Sequence, residues 1–343
     1  MKAIVQDHYG TTDQLRLDEV PDPVAGPGEV LVRVGAAGVD RGTWHVMTGR
    51  PLAARLALGL RAPKDRTPGR DVAGTVVALG EGVTEYAVGD AVYGTARGSF
   101  AELAVVPLTR LARRPANLSV EEAAAVPVSA LTALQAVRAG GVKAGDRVLV
   151  IGASGGVGSY AVQLAVDLGA RVTGVCGPAK AELVRSLGAE RVVDHTTTPL
   201  DTLGEHFDVV LDIAGHRSVR LLRGLLTERG CLVVVGSENE GRWLGGLQRA
   251  MGAALLSPFV KQHLVMLMSK ENGADLAALT AVIERGAVRP AVERTFPLDQ
   301  AAAAIDHVSS GQARGKVVVT VAGSAEPGAQ SVAGATTSAP DNR

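Results

Sequence analysis

Residues 148–176 read VLVIGASGGVGSYAVQLAVDLGARVTGVC, and this stretch decides the fold. VLVI is a buried strand, SYAVQLAVDLG has helical apolar spacing, and RVTGVC is a second β-branched strand. Between strand and helix, Gly152, Gly155 and Gly158 fall in a G-x-x-G-x-x-G frame, a variant of the dinucleotide-binding fingerprint. A bare glycine triplet is a weak signal in a chain with 42 glycines; the strand before it and the helix opening directly on it make it specific. Small residues there let backbone N–H groups and the positive end of the helix approach a pyrophosphate. Ser154, Gly156 and Val157 complete the expected cradle.

The alternation continues outward. Strand RVVDH, strand DVVLDIAG, helix SVRLLRGLLTERG and strand CLVVVGS follow, so residues 122–260 predict a doubly wound parallel sheet in an α/β fold. Ligands of such sheets lie at the carboxyl ends of the strands, which places Ala214, Gly236 and Ser237 along the cofactor. NAD-binding proteins carry an acidic residue about 20 residues beyond the glycines to grip the ribose 2′-hydroxyl. Here that position reads VCGPAK. Cys176 and Gly177 leave room, Lys180 offers a charge for a 2′-phosphate, and His195 ends the next strand. NADP(H) is therefore favoured over NAD(H).

Residues 1–121 have a different texture: KAIVQ, EVLVRVGAAGV, DVAGTVVALG, DAVYG and SFAELAVV are short strands between Gly/Pro turns, the pattern of a β-rich barrel or sandwich. SVEEAAAVPVSALTALQAV then predicts one helix, with Ser119 and Glu122 as a capping box. Residues 261–322 hold the helix ADLAALTAVIERG and the strands RTFPL and GKVVVTV; residues 323–343 are small, polar and expected to be disordered.

Thirty-five basic and 35 acidic residues in 343 leave no net charge, which speaks against nucleic acid or an anionic membrane as partner. No apolar run reaches the roughly 18 residues of a membrane span, and MKAIVQDHYG has no signal-peptide pattern, so a cytoplasmic protein is expected. Cys176 and Cys231 each sit in a strand and read as core thiols. RPLAARLALGLRAPKDR, residues 50–66, is basic and apolar; a mobile lid over a cleft is favoured over a membrane-surface helix. A short-chain dehydrogenase is excluded, because none of Tyr9, Tyr86, Tyr93 and Tyr160 is followed by Lys four residues on.

VPDPVAGPGEVLVRVGAAGVD, PGRDVAGTVVALGEGVTEYAVGDAVYG, EEAAAVPVSALTALQAV, GASGGVG and GKVVVTV together resemble the medium-chain dehydrogenase/reductase superfamily, specifically its zinc-independent quinone oxidoreductase-like branch, over residues 1 to about 322. The resemblance implies a GroES-like β-rich catalytic domain, built from residues 1–121 and the C-terminal segment, with a Rossmann domain inserted. Metal-dependent relatives hold zinc with a Cys after the first sheet and a G-H-E-x-x-G loop. This chain has Asp40 and G-R-D-V-A-G there, so no zinc site is expected; Arg70 and Asp71 are expected to pair with each other or to shape the cleft floor. GVDRGTWH resembles the stretch that faces the nicotinamide. Asp40 is expected to orient a ribose hydroxyl, Trp44 or His45, and Trp44 and His45 stand equally as donors or as wall. Thr132 matches a position beside the nicotinamide, and Gly315 and Lys316 in RGK match the family's return to the cofactor.

The implied activity is hydride transfer from NADPH to a quinone or an α,β-unsaturated carbonyl, by a homodimer that pairs near SPFVKQHLVMLMSK, where core packing is the equal alternative. The rival functions are a catalytically weak NADPH-binding interaction or sensor protein and a tailoring reductase in a biosynthetic pathway.

Overall fold

Strand Glu29–Val39 is the spine of the first sheet. Its alternate residues Val30, Val32 and Val34 are buried, as a pleated strand with one covered face demands, and from Val34 to Val39 every residue is buried. The computed structural model describes residues 1–236, 243, 251–252 and 260–321. The expected tail, residues 323–343, and Ser237 lie outside the described residues.

Among the described residues there are two large sheets and a two-stranded ribbon, Lys2–Val5 with Arg16–Glu19. The seven-stranded sheet runs Val292–Pro297, Lys316–Thr320, Glu29–Val39, Asp71–Leu79, Ala91–Thr95 and Leu111–Arg113, with Leu103–Pro107 also on Glu29–Val39. Only its first pair is parallel; the other pairings are antiparallel.

The six-stranded sheet is parallel throughout, in the order Arg191–Asp194, Arg171–Cys176, Arg147–Ile151, Phe207–Asp212, Leu226–Val234 and His263–Met266. Both faces of its central strand are covered. Val148 and Val150 pack on one side with Ala161 and Ala165, and Leu149 and Ile151 pack on the other with Val210 and Leu232. Two-sided burial explains why VLVI reads as an unbroken apolar run. The expected architecture, a GroES-like β-rich unit with a Rossmann sheet, is the architecture found.

Three local readings change. The helix expected from residue 119 is two helices, Val120–Ala124 and Pro127–Ala139, because Pro127 has no N–H to continue the first. The capping box is present: Glu122 N donates to Ser119 Oγ at 3.2 Å, and Ser119 N donates to Glu122 Oε2 at 3.0 Å. The helix expected to run to Gly230 stops at Gly224, and Leu226 instead pairs with Phe207 as the start of a strand. The boundary expected at residue 261 is displaced as well. His263–Met266 pairs with Leu226–Val234, burying Leu264, so the chain rejoins the first sheet only at Val292.

Residues 50–66 form a 3-10 turn, Leu52–Ala54, and a short helix, Arg55–Leu58. Tyr9 fastens this segment: its hydroxyl donates to Gly59 O at 2.7 Å, and the Arg55 guanidinium lies 4.3 Å from its ring centre.

Candidate functional site

The glycine frame lies where strand Arg147–Ile151 turns into helix Gly156–Asp167. Gly155 caps that helix with no side-chain hydrogen bond, so the first-turn amides are not satisfied by a capping side chain. A Cβ on Gly158 would stand 2.1 Å from Gly152 O, so only glycine lets the helix approach the loop this closely. Ala214 sits directly beside it: its N donates to Ile151 O at 3.1 Å. Gly236 N donates to Asp212 O at 3.1 Å, which brings the ends of the next two strands to the same rim. The cradle has the open amides and the absent side chains that a pyrophosphate requires.

Cys176, Lys180 and His195 converge at one end of this rim. His195 N donates to Cys176 O at 3.2 Å. Lys180 Nζ donates to Gly311 O at 2.6 Å and Ala313 O at 2.8 Å, tying the nucleotide-binding sheet to the loop that leads into Lys316. Burial lowers the Lys180 pKa, with the nearby Arg314 charge adding to the effect. Gly315, in a left-handed conformation (φ +88°), donates from its N to Ser154 O at 2.8 Å, so the C-terminal return touches the glycine loop itself.

Lys316 does not extend into the cofactor space, contrary to the sequence reading. It is 1% exposed, and its ammonium donates to Asp71 Oδ2 at 3.1 Å, Ser129 Oγ at 3.1 Å and Val39 O at 3.4 Å. A Cβ on Gly156 would lie 3.2 Å from Lys316 Cδ, so the side chain runs beneath the glycine loop. Asp71 is fully buried and also accepts from Val128 N at 2.7 Å. Desolvation raises its pKa to about 6, opposed by the Lys316 charge and reinforced by Asp40. The expected pairing of Arg70 with Asp71 is not found: Arg70 pairs with Glu271 instead. Sequence spacing carried no signal of the Lys316 network, because Asp71 and Lys316 are 245 residues apart.

Asp40 caps helix Arg41–Thr48, accepting from Thr43 N at 3.0 Å. It orients neither Trp44 nor His45, as the sequence suggested, but starts the helix that carries both; its Oδ2 is buried with no hydrogen-bond partner. His45 Nδ1 lies 2.9 Å from Arg50 O, and Trp44 stacks under Arg41 at 4.6 Å. Thr132 donates to Val128 O at 2.7 Å inside its own helix. A hollow of about 800 Å³ between Tyr86, Arg113 and Asn272 contains none of these residues.

The donor set at the metal position does not fit zinc. Asp71 is engaged by an ammonium and an amide, Arg70 offers a cationic guanidinium and no ligand atom, and no three His, Cys, Asp or Glu side chains among the described residues converge. Among these residues no helix is long and apolar enough to cross a membrane.

Residues 26–116 match the family described as alcohol dehydrogenase GroES-like domain, and residues 187–319 match that described as zinc-binding dehydrogenase. The chain is 31% identical to the chloroplast envelope quinone oxidoreductase homolog of Arabidopsis thaliana, over 93% of this chain and 98% of that one. It is 30% identical to the chloroplastic NADPH-dependent alkenal/one oxidoreductase of the same plant, over 93% of this chain and 79% of that protein. Its fold matches mycobacterial Rv1454c complexed with NADPH with a TM-score of 0.78 at 27% identity, covering 93% of this chain and 99% of that one. On this sequence and fold evidence, the chain belongs to the medium-chain dehydrogenase/reductase superfamily, in its quinone oxidoreductase-like branch, and is an oxidoreductase.

Proposed function

We propose that the chain is an NADPH-dependent, zinc-free oxidoreductase acting on a quinone or an α,β-unsaturated carbonyl. The observation that carries this reading is the uncapped amide cradle at Gly155–Gly158, set directly over a buried Lys316–Asp71 pair at the metal position. Bound there, NADPH supplies the hydride. The first-turn amides of helix Gly156–Asp167 hold the pyrophosphate, Lys180 and His195 meet the 2′-phosphate, and Ala214 and Gly236 border the nucleotide. Asp40 fixes the helix that presents Trp44 and His45 to the substrate side.

Such a site works without a metal because the accumulating charge is an enolate or hydroquinone oxyanion. That anion is far less basic than an alkoxide, so hydrogen-bond donors stabilise it sufficiently and water can protonate it. The names of the Arabidopsis relatives, a quinone oxidoreductase homolog and an alkenal/one oxidoreductase, support the same substrate classes.

The deciding experiment offers the purified chain NADPH and NADH with panels of quinones, enones and aldehydes. NADPH oxidation with a quinone or enone is the expected result. Tight NADPH binding with no turnover across the panel would overturn the reading in favour of a cofactor-binding interaction protein.

A further inference from the structure

Arg70 immediately precedes strand Asp71–Leu79. Asp71 is turned fully inward to Lys316, whose side chain passes beneath Gly156, whereas the Arg70 side chain is 41% exposed. Two neighbouring residues thus place a buried carboxylate on the lysine that runs beneath the nucleotide loop and a partly exposed guanidinium beside Gly42. Glu271 anchors that guanidinium through Nη2. Glu271 is itself fixed: Arg110 Nη1 lies 3.1 Å away, Thr95 Oγ1 donates to it at 3.1 Å, and its side chain is only 12% exposed.

No described residue pairs with the other face of the Arg70 fork, and the neighbouring Asp71 carboxylate is met by Lys316. Nη1 lies 3.8 Å from where a Cβ on Gly42 would stand, and the same point is 2.7 Å from Asp40 Oδ1. The glycine at residue 42 thus lets Nη1 approach the first turn of the helix that bears Trp44 and His45, close to Asp40.

From this geometry, and resting on the proposed reductase activity, we infer that Arg70 is a catalytic residue: its Nη1–H donates to the substrate oxygen on which negative charge develops. For an enone, the C–H bond of the reduced nicotinamide breaks and its hydride pair forms a bond to the β-carbon. The C=C pair moves to join the α- and carbonyl carbons, and the C=O pair moves onto oxygen. The enolate oxygen takes the charge against Arg70, the nicotinamide is left oxidised, and a proton from water then reaches the α-carbon to give the saturated carbonyl. An anchored guanidinium suits this task, because it stays charged throughout and offers a fixed fork to the anion.

The test uses the full chain and Arg70→Gln, with Arg70→Lys as a second variant. The best enone of the panel reports turnover, and 4-nitrophenol, a stable mimic of the oxyanion, reports charge stabilisation through its absorbance. Arg70→Gln is expected to lower kcat by about 100-fold or more, as loss of an oxyanion donor does. NADPH affinity and melting temperature should hold. Nitrophenol bound to the unmodified chain should ionise at lower pH than in free solution, and Arg70→Gln should reverse that shift. Arg70→Lys and added guanidinium ion should each restore part of the rate. Undiminished turnover, an unchanged nitrophenol titration, or a loss that merely follows stability or NADPH affinity would overturn the inference alone. A chain that reduces nothing sinks the proposed function and this role with it.

Discussion

The Lys316 ammonium lies 3.1 Å from the Asp71 carboxylate, with both side chains out of reach of solvent. A buried ion pair gains little over an apolar pair, but breaking one by removing a partner leaves a charge stranded in the interior. Lys316→Met should therefore cost about 3–5 kcal/mol of stability in denaturant unfolding. Combining it with Asp71→Leu should recover much of that loss, and a double variant no better than the single one would refute the pairing.

The same carboxylate makes a pH signature. The folded-state pKa of Asp71 lies near 6, above its ordinary 3.8, so the folded chain holds that proton more tightly than the unfolded chain does. Its contribution to stability is fully present below pH 3.8 and is lost as pH rises towards 6. Unfolding free energies across this window should decline for the unmodified chain relative to Asp71→Asn. A constant difference between the two would show that Asp71 titrates normally.

Lys180 spends two of its hydrogen bonds on Gly311 and Ala313 carbonyls, and the proposed function gives its third N–H to a 2′-phosphate. Lys180→Ala should weaken NADPH by about tenfold or more, which is about 1.4 kcal/mol, and NADH far less. Fluorescence titration with both nucleotides measures this. Equal losses would place 2′-phosphate recognition on another residue.

Gly158→Ala would put a methyl group 2.1 Å from Gly152 O, so the loop must open and its amides lose their alignment. NADPH affinity should fall by more than about tenfold while the unliganded chain stays folded by circular dichroism. Retained affinity would move the pyrophosphate off this helix.

Asp40 separates capping from chemistry. Asp40→Ala removes the cap of helix Arg41–Thr48 and should cost about 1 kcal/mol, whereas Asp40→Asn keeps an acceptor for Thr43 N. If Asp40→Asn preserves both stability and turnover, its role is to start the helix; lost turnover at full stability would assign it a direct part in the reaction.

The glycine loop was legible because its information is local: strand, glycines and helix occupy 29 adjacent residues, and each constrains the next. The same holds for the Ser119–Glu122 cap. Lys316 was read as facing the cofactor, since a lysine in RGK carries no mark of what it will meet across the fold. The roles of Arg70 and Glu271 were hidden for that reason too: residues 70 and 271 come from different parts of the chain, and pairing Arg70 with its neighbour Asp71 was the local guess. Strand His263–Met266 was missed as part of the parallel sheet because LVM looks alike in a sheet or in a contact surface.

The pairing of Lys316–Thr320 with Glu29–Val39 also sets a timetable. During synthesis the spine strand emerges early; Glu29–Arg33 of one edge soon meets Leu103–Pro107, but Ala36–Val39 of that edge has no partner until nearly three hundred residues later, after the nucleotide-binding unit has left the ribosome. An unpaired stretch of strand edge invites association with other chains. The two halves of the enzyme are thus interlocked in time as well as in space. The nucleotide-binding half can collapse on its own schedule, and it brings back the strand that seals its older partner.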